Sequence, residues 1–253
     1  MRIAGLCLLA SSSASLALLS LAYGDFAPMW RSFPPIVARG IVIDGLALLL
    51  LAASFGLFRP VTRMPSLAAI IAYQAVWAAI AVPPILAKPL SLGSWYGCAE
   101  AATALTAPLI LYAPRFARPG EILFGVTCIF YGWSHFAYAD YTAGMVPAYL
   151  PDGLIFAYLT GAAHIAAGLA IVTGLFARLA AVLETAMMSL FGLLVWVPSF
   201  FSDPRPSWAA SPQNQWSELV VNLVLVASAG IVALSRMKKI PRGLQGTENA
   251  ARS

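Results

Sequence analysis

Charged residues make up only 10% of this 253-residue chain, against roughly 25% in a soluble domain. That shortage excludes a water-soluble globule, and 60% hydrophobic residues exclude a disordered segment, a collagen or a coiled coil as well. The chain has few cysteines: Cys7, Cys98 and Cys128, with no C-x-x-C spacing. This argues against a disulfide framework or a dithiol-exchange motif, and all three are expected as buried structural thiols within apolar stretches. A Walker loop, H-E-x-x-H, G-x-S-x-G and a dinucleotide fingerprint are likewise missing. What is abundant is uninterrupted apolar sequence, with a mean hydropathy of +0.82. Lipid leaves only helices or closed barrels to satisfy the backbone, and long runs rather than alternation select helices. The expected fold is therefore all-α and integral to the membrane.

Eight apolar stretches approach the roughly 20 residues needed to cross a bilayer: 3–23, 36–57, 65–87, 93–113, 121–140, 153–174, 178–199 and 214–235. Segment 3–23 ends in Ser20-Leu21-Ala22, which also suits a signal-peptide cleavage site; the repeat described below requires it as a retained helix. With a cytoplasmic N-terminus, the inner segments hold Arg2, Arg59, Arg63, Arg115, Arg118, Arg178, Arg236, Lys238, Lys239, Arg242 and Arg252. The outer ones hold Arg31, Arg39, Lys88 and Arg205. This bias places both termini in the cytoplasm. The net charge of +5 then reports topology and contact with anionic headgroups, and a nucleic-acid partner is not needed to explain it. Tryptophans at expected outer ends (Trp30, Trp95, Trp133, Trp208, Trp216) suit an aromatic belt.

The chain also reads as one unit written twice. Tyr23-Gly24-Asp25-Phe26 aligns with Tyr138-Ala139-Asp140-Tyr141, and Gly56-Leu57-Phe58 with Gly174-Leu175-Phe176. Val82-Pro83 aligns with Val197-Pro198, and Trp95 with Trp216. Two tandem, same-orientation four-helix bundles follow: residues 1–113, a linker 114–120 with Pro114 and Pro119, a second unit 121–235, and a basic cytoplasmic tail 236–253. Gly161, Gly168 and Gly174 share one stretch and are expected to let helices pack closely.

Ionisable groups inside spans cost roughly 2.5–3.5 kcal/mol each on insertion scales, which singles out Asp44, Glu100, His135, His164 and Glu184. At 1.5 Å per residue, Asp44 and Glu100 lie about 12 and 10 Å below the outer ends and are expected to meet at one level. His135 at about 7 Å and His164 at about 16 Å are too far apart in height to share a metal ion, so no metal site is expected. Glu184 at about 21 Å is within reach of His164. Such a pair suits a proton relay, a hold on a quinone ring, or a polar bridge clamping two helices. His135, between Tyr131, Trp133 and Phe136, suits one wall of a flat-ring pocket, although interface aromatics give the same pattern.

Residues 121–199 resemble the DoxX family of bacterial membrane proteins. The resemblance is carried by Gly132-Trp133-Ser134-His135-Phe136, by Val146-Pro147 with Leu150-Pro151, by Gly161 and His164 through Gly168, and by Gly174-Leu175-Phe176-Ala177-Arg178. The first unit lacks the H-F and V-P-x-x-L-P elements, and many relatives carry a glutamate where His164 stands. The resemblance implies a four-helix membrane fold in a bacterial inner membrane and an association with redox chemistry: one branch resembles the membrane subunit of thiosulfate:quinone oxidoreductase, and others accompany thiol or oxidative-stress systems. The favoured expectation is a membrane subunit that binds quinone near the outer leaflet. There His135 and Trp133 would line the headgroup site, and His164 with Glu184 would exchange protons. No haem, flavin or iron–sulfur ligand set stands out, so electron transfer would need a redox partner protein or a substrate that reacts directly. A non-catalytic scaffold, and a small-molecule carrier lined by Asp44, Glu100, His164 and Glu184, are the alternatives.

Overall fold

The structure, a computed structural model, describes residues 2–26, 34–209 and 211–236. Trp30, Arg31 and residues 237–253 of the basic tail lie outside the described residues, as does the side chain of Arg2. The described chain is helical, and no strand occurs among the described residues. The long helices are α1 (Arg2–Tyr23), α2 (Arg39–Gly56), α3 (Pro60–Ala87), α4 (Tyr96–Tyr112) and α5 (Ala117–Ala137). The short α6 (Ala139–Ala143) precedes α7 (Gly153–Thr173), α8 (Ala177–Phe191), α9 (Val197–Ser199) and α10 (Pro212–Ser235). A π turn, Gly192–Trp196, joins α8 to α9, so that one helical rod runs from Ala177 to Ser199.

Six helices are long and apolar enough to cross a membrane: Ile3–Tyr23, Arg39–Gly56, Pro60–Ala87, Gly153–Thr173, Ala177–Ser199 and Pro212–Ser235. The expected fourth and fifth spans are helices too, though they fall outside that set. α4 is shorter, at 17 residues, because the chain spends Leu92–Ser94 in a 3-10 turn before it. α5 begins at Ala117 and so takes Arg118 and Glu121 into its first turns.

Local chemistry sets the ends. Pro60 and Pro212 open α3 and α10, where the missing N–H has no partner to lose. Asp152 caps α7 by accepting from the Leu154 and Ile155 amides. Gly174 closes α7 in the left-handed region, at φ 86°, a conformation that glycine adopts without strain.

Neighbouring helices follow chain order around two rings. α1 packs on α2, α2 on α3 and α3 on α4; α5 packs on α7, α7 on α8 and α8 on α10. The rings join where α1 meets α10 and where α4 meets both α5 and α10. α5 and α7 form the most intimate pair, and glycines make it so. A Cβ on Gly132 would lie 2.5 Å from the Gly161 carbonyl oxygen, and one on Gly168 would lie 2.5 Å from the Gly125 carbonyl oxygen. The backbones therefore touch at two levels one heptad apart, the close approach by which helices associate where hydrophobicity cannot drive them together. α4 and α10 are tied in another way, by Ser228 donating to the Thr103 carbonyl at 2.8 Å.

At one end of the bundle the charges are paired. Glu121 is buried and accepts from Arg236 and from Ser235 (2.8 Å), with Arg118 at 3.5 Å. Arg118 also donates to the Ile171 and Val172 carbonyls, and Arg63 to that of Leu57, so arginines satisfy carbonyls that the ends of α7 and α2 leave open. All of these arginines belong to the segments assigned to the cytoplasm by charge. One expectation needs correcting here. Only Cys128 is a buried thiol; Cys98 is half-buried and Cys7 exposed, because Cys7 lies on a face of α1 turned away from the bundle.

Candidate functional site

Helical period places the central residues of the site. On α7 the buried residues Ala157, Gly161, His164, Gly168 and Ile171 recur at spacings of four and three, one stripe of an α-helix. His164 is therefore carried into the α5 contact by the same glycines that close it. On α8, Ala177, Ala180, Ala181, Glu184 and Met188 form the corresponding buried stripe. The two stripes meet: His164 Nδ1 and Glu184 Oε1 are 2.6 Å apart, with 1% and 2% of their side chains exposed. Glu184 Oε2 is buried and makes no hydrogen bond among the described residues. Cys128 on α5 lies against the same carboxyl.

His135 is beside this pair. Its Nδ1 is 2.9 Å from Thr160 Oγ1, and its ring stands edge-on to that of His164, with centroids 5.1 Å apart. This corrects the sequence estimate, in which a height difference of about 9 Å kept the two apart. Counting rise along each helix ignores tilt and the reach of the side chains toward each other, both of which act where Gly132 and Gly161 bring the backbones into contact. No group of three or more His, Cys, Asp or Glu side chains able to hold an ion occurs among the described residues. Phe191 stacks on His135 at 6.1 Å and stands edge-on to His164 at 6.0 Å. Tyr131 flanks His164 while its hydroxyl pairs with Thr103 Oγ1 at 3.1 Å.

These groups sit at the deep end of a cavity of about 690 Å³, within the range of roughly 300–1,000 Å³ that small-molecule sites occupy. Its walls come from α3 (Trp77), α4 (Tyr96, Glu100), α5 (Tyr131, His135), α7 (Phe156, Thr160, His164), α8 with its π turn (Met188, Phe191, Trp196) and α10 (Glu218, Asn222). Tyr141, Thr142, Met145, Val146, Pro147 and Trp208 line its mouth, at the end of the bundle opposite the arginine clamp. The lining is largely aromatic and aliphatic, and among the described residues it contains carboxyl and imidazole groups but neither lysine nor arginine.

Of the residues singled out from sequence, the cavity gathers Glu100, His135 and His164, with Glu184 directly behind His164. Asp44 and Trp133 stand apart from it. Asp44 is exposed on α2 because it follows Ile43, which holds the buried face, and one residue turns the helix by about 100°. It does not line the cavity with Glu100, contrary to the expectation that the two meet. Trp133 is 60% exposed on the outer side of α5, between Gly132 and Ser134, which face inward. Sequence reasoning missed Thr160, Phe191, Asn222 and Glu218. Glu218 carried a usable signal, as a carboxyl inside the apolar stretch 214–235; the other three look like ordinary helix-lining residues.

Residues 116–197 match the sequence model of the DoxX family. The matched residues include His135, Thr160, His164, Glu184 and Phe191 and stop short of α10, so Glu100 and Glu218 reach the cavity from outside the matched segment. No curated protein and no solved structure matches the chain.

Proposed function

We propose, for a membrane protein with a DoxX-like segment and this cavity, that it binds a planar, lipophilic redox molecule of the quinone class between its two helical rings. The observation that carries this reading is the cavity itself: an aromatic chamber of about 690 Å³ with a His135–His164–Glu184 cluster at its floor. The residues fit such a ring. Phe191, Tyr131 and Trp77 offer flat apolar faces, and both imidazoles make their side-chain hydrogen bonds through Nδ1. A quinone held there would supply two-electron, two-proton chemistry. This chain would bind it, keep water from its ring and exchange protons through His164, whose far side rests on Glu184.

The wider reading has eight membrane-crossing helices in two tandem, same-orientation units, 1–113 and 121–235, in a bacterial inner membrane with both termini cytoplasmic and a redox partner protein at its surface. Its support is the neighbour order. α1–α10 and α4–α5 are equivalent contacts under a two-fold axis through the α4–α10 contact, as duplication would produce. The arginine distribution supports the orientation, with the cavity mouth then facing outward.

The test is a titration of the full chain in nanodiscs with short-chain ubiquinone and menaquinone analogues, followed by tryptophan fluorescence, since Trp77, Trp196 and Trp208 line the cavity. Saturable quenching that weakens at least about tenfold in His164→Ala supports the reading, on the scale of one lost charge-assisted hydrogen bond. Absence of saturable binding would overturn it.

A further inference from the structure

The two imidazoles differ in what stands behind them, and this difference fixes what the cavity can recognise. Thr160 has one hydroxyl hydrogen. Its Oγ1 lies 2.8 Å from the Phe156 carbonyl oxygen and 3.2 Å from that of Ala157, so the hydrogen is spent on the backbone of its own helix. Toward His135 Nδ1, 2.9 Å away, Thr160 can present only lone pairs. With the Thr160 hydrogen directed to the Phe156 carbonyl, the ring hydrogen sits on Nδ1, and a neutral imidazole with Nδ1–H has a bare acceptor at Nε2. His164 is not restricted in this way. Its Nδ1 faces a carboxyl, and a carboxyl–imidazole pair can hold either one proton or two, so its Nε2 serves as acceptor or donor. The floor of the cavity thus offers one fixed acceptor and one adjustable group.

A ring carrying only carbonyl oxygens would set a lone pair against His135 Nε2, whereas a ring carrying a hydroxyl would donate to it. Sites built around a hydrogen bond to a hydroxyl discriminate strongly against analogues that lack it. We propose that His135, held as an acceptor by Thr160, makes the cavity bind the dihydroxy, reduced form of a quinone-class ring more tightly than the dione. This inference rests on the reading above that the cavity takes such a ring.

The experiment uses the full chain in nanodiscs under anaerobic conditions, with a decyl-substituted benzoquinone and the corresponding hydroquinone as probes in equilibrium dialysis. The hydroquinone is expected to bind at least about tenfold more tightly, the fold-change of one well-placed hydrogen bond. Thr160→Val keeps the shape but removes the acceptor behind His135, which frees the ring to take its other tautomer; the ratio is then expected to fall toward one. Thr160→Ser restores the hydroxyl and is expected to restore the preference. Equal or tighter binding of the dione, or a preference unchanged in Thr160→Val, would overturn the proposal while leaving the cavity as a quinone site. Failure of both probes to bind would overturn the cavity reading and this inference with it.

Discussion

At one end of the bundle Glu121 is shared by Arg236, Ser235 and Arg118, and Arg118 and Arg63 reach helix carbonyls. At the other, Glu184 meets the His164 imidazole through one oxygen and leaves the second without a hydrogen bond, while His135 and His164 turn their rings to an open chamber. Both ends use buried carboxylates held by nitrogen donors. They differ at the carboxylate: both Glu121 oxygens are paired within the chain, whereas one Glu184 oxygen makes no hydrogen bond among the described residues. A polar cluster that closes on itself is a clamp, whereas one that stops at a cavity wall has capacity left for a ligand.

That contrast can be broken in a graded way. The largest effect on stability is expected from His164→Leu, which strands the Glu184 carboxyl among apolar side chains and should cost about 3 kcal/mol, the scale for breaking a buried ion pair from one side. The double variant His164→Leu with Glu184→Leu is expected to recover most of that loss in thermal unfolding, yet to bind no quinone analogue. If the double variant still bound, the pair would be a clamp like the one at the other end. Glu121→Ala comes next. Its partners Arg118 and Arg236 are half-exposed and can turn to water, so a loss of about 2 kcal/mol is expected, below the fully buried case, with ligand affinity unchanged. A fall in affinity would show that the two ends are coupled. Smallest of all, Asp44→Asn and Trp133→Phe should each stay within about 0.5 kcal/mol of the parent, as substitutions on exposed faces do, and leave binding as it was. A binding defect in either would show that the outer faces of α2 and α5 take part in the site.

The site was partly legible before the structure. A histidine in step with Gly161 and Gly168, and a glutamate in step with Ala177, Ala180 and Ala181, announce themselves because an ionisable group in a long apolar run needs a partner. Asp44 carries the same signal but lies one residue off its buried face, and nothing local distinguishes a carboxyl that turns inward from one that turns outward. Trp133 fits an interface belt and a pocket wall equally well as sequence. Phe191 and Asn222 were illegible because their importance comes from what stands opposite, across helices far apart in the chain.

Composition and hydropathy by themselves determined the helical, membrane-embedded class, since lipid permits only helices or closed barrels and long apolar runs select helices, and spacing determined which side chains share a stripe. Only the tertiary structure decided that His135 and His164 stand ring to ring, that Glu100 and Glu218 complete a chamber begun by the segment that matches the DoxX family, and that Asp44 stays out of it. The reason is geometric: rise and period fix a residue's height and bearing on its own helix, whereas the distance between helices depends on where glycine lets two backbones touch, and that is a property of the pair.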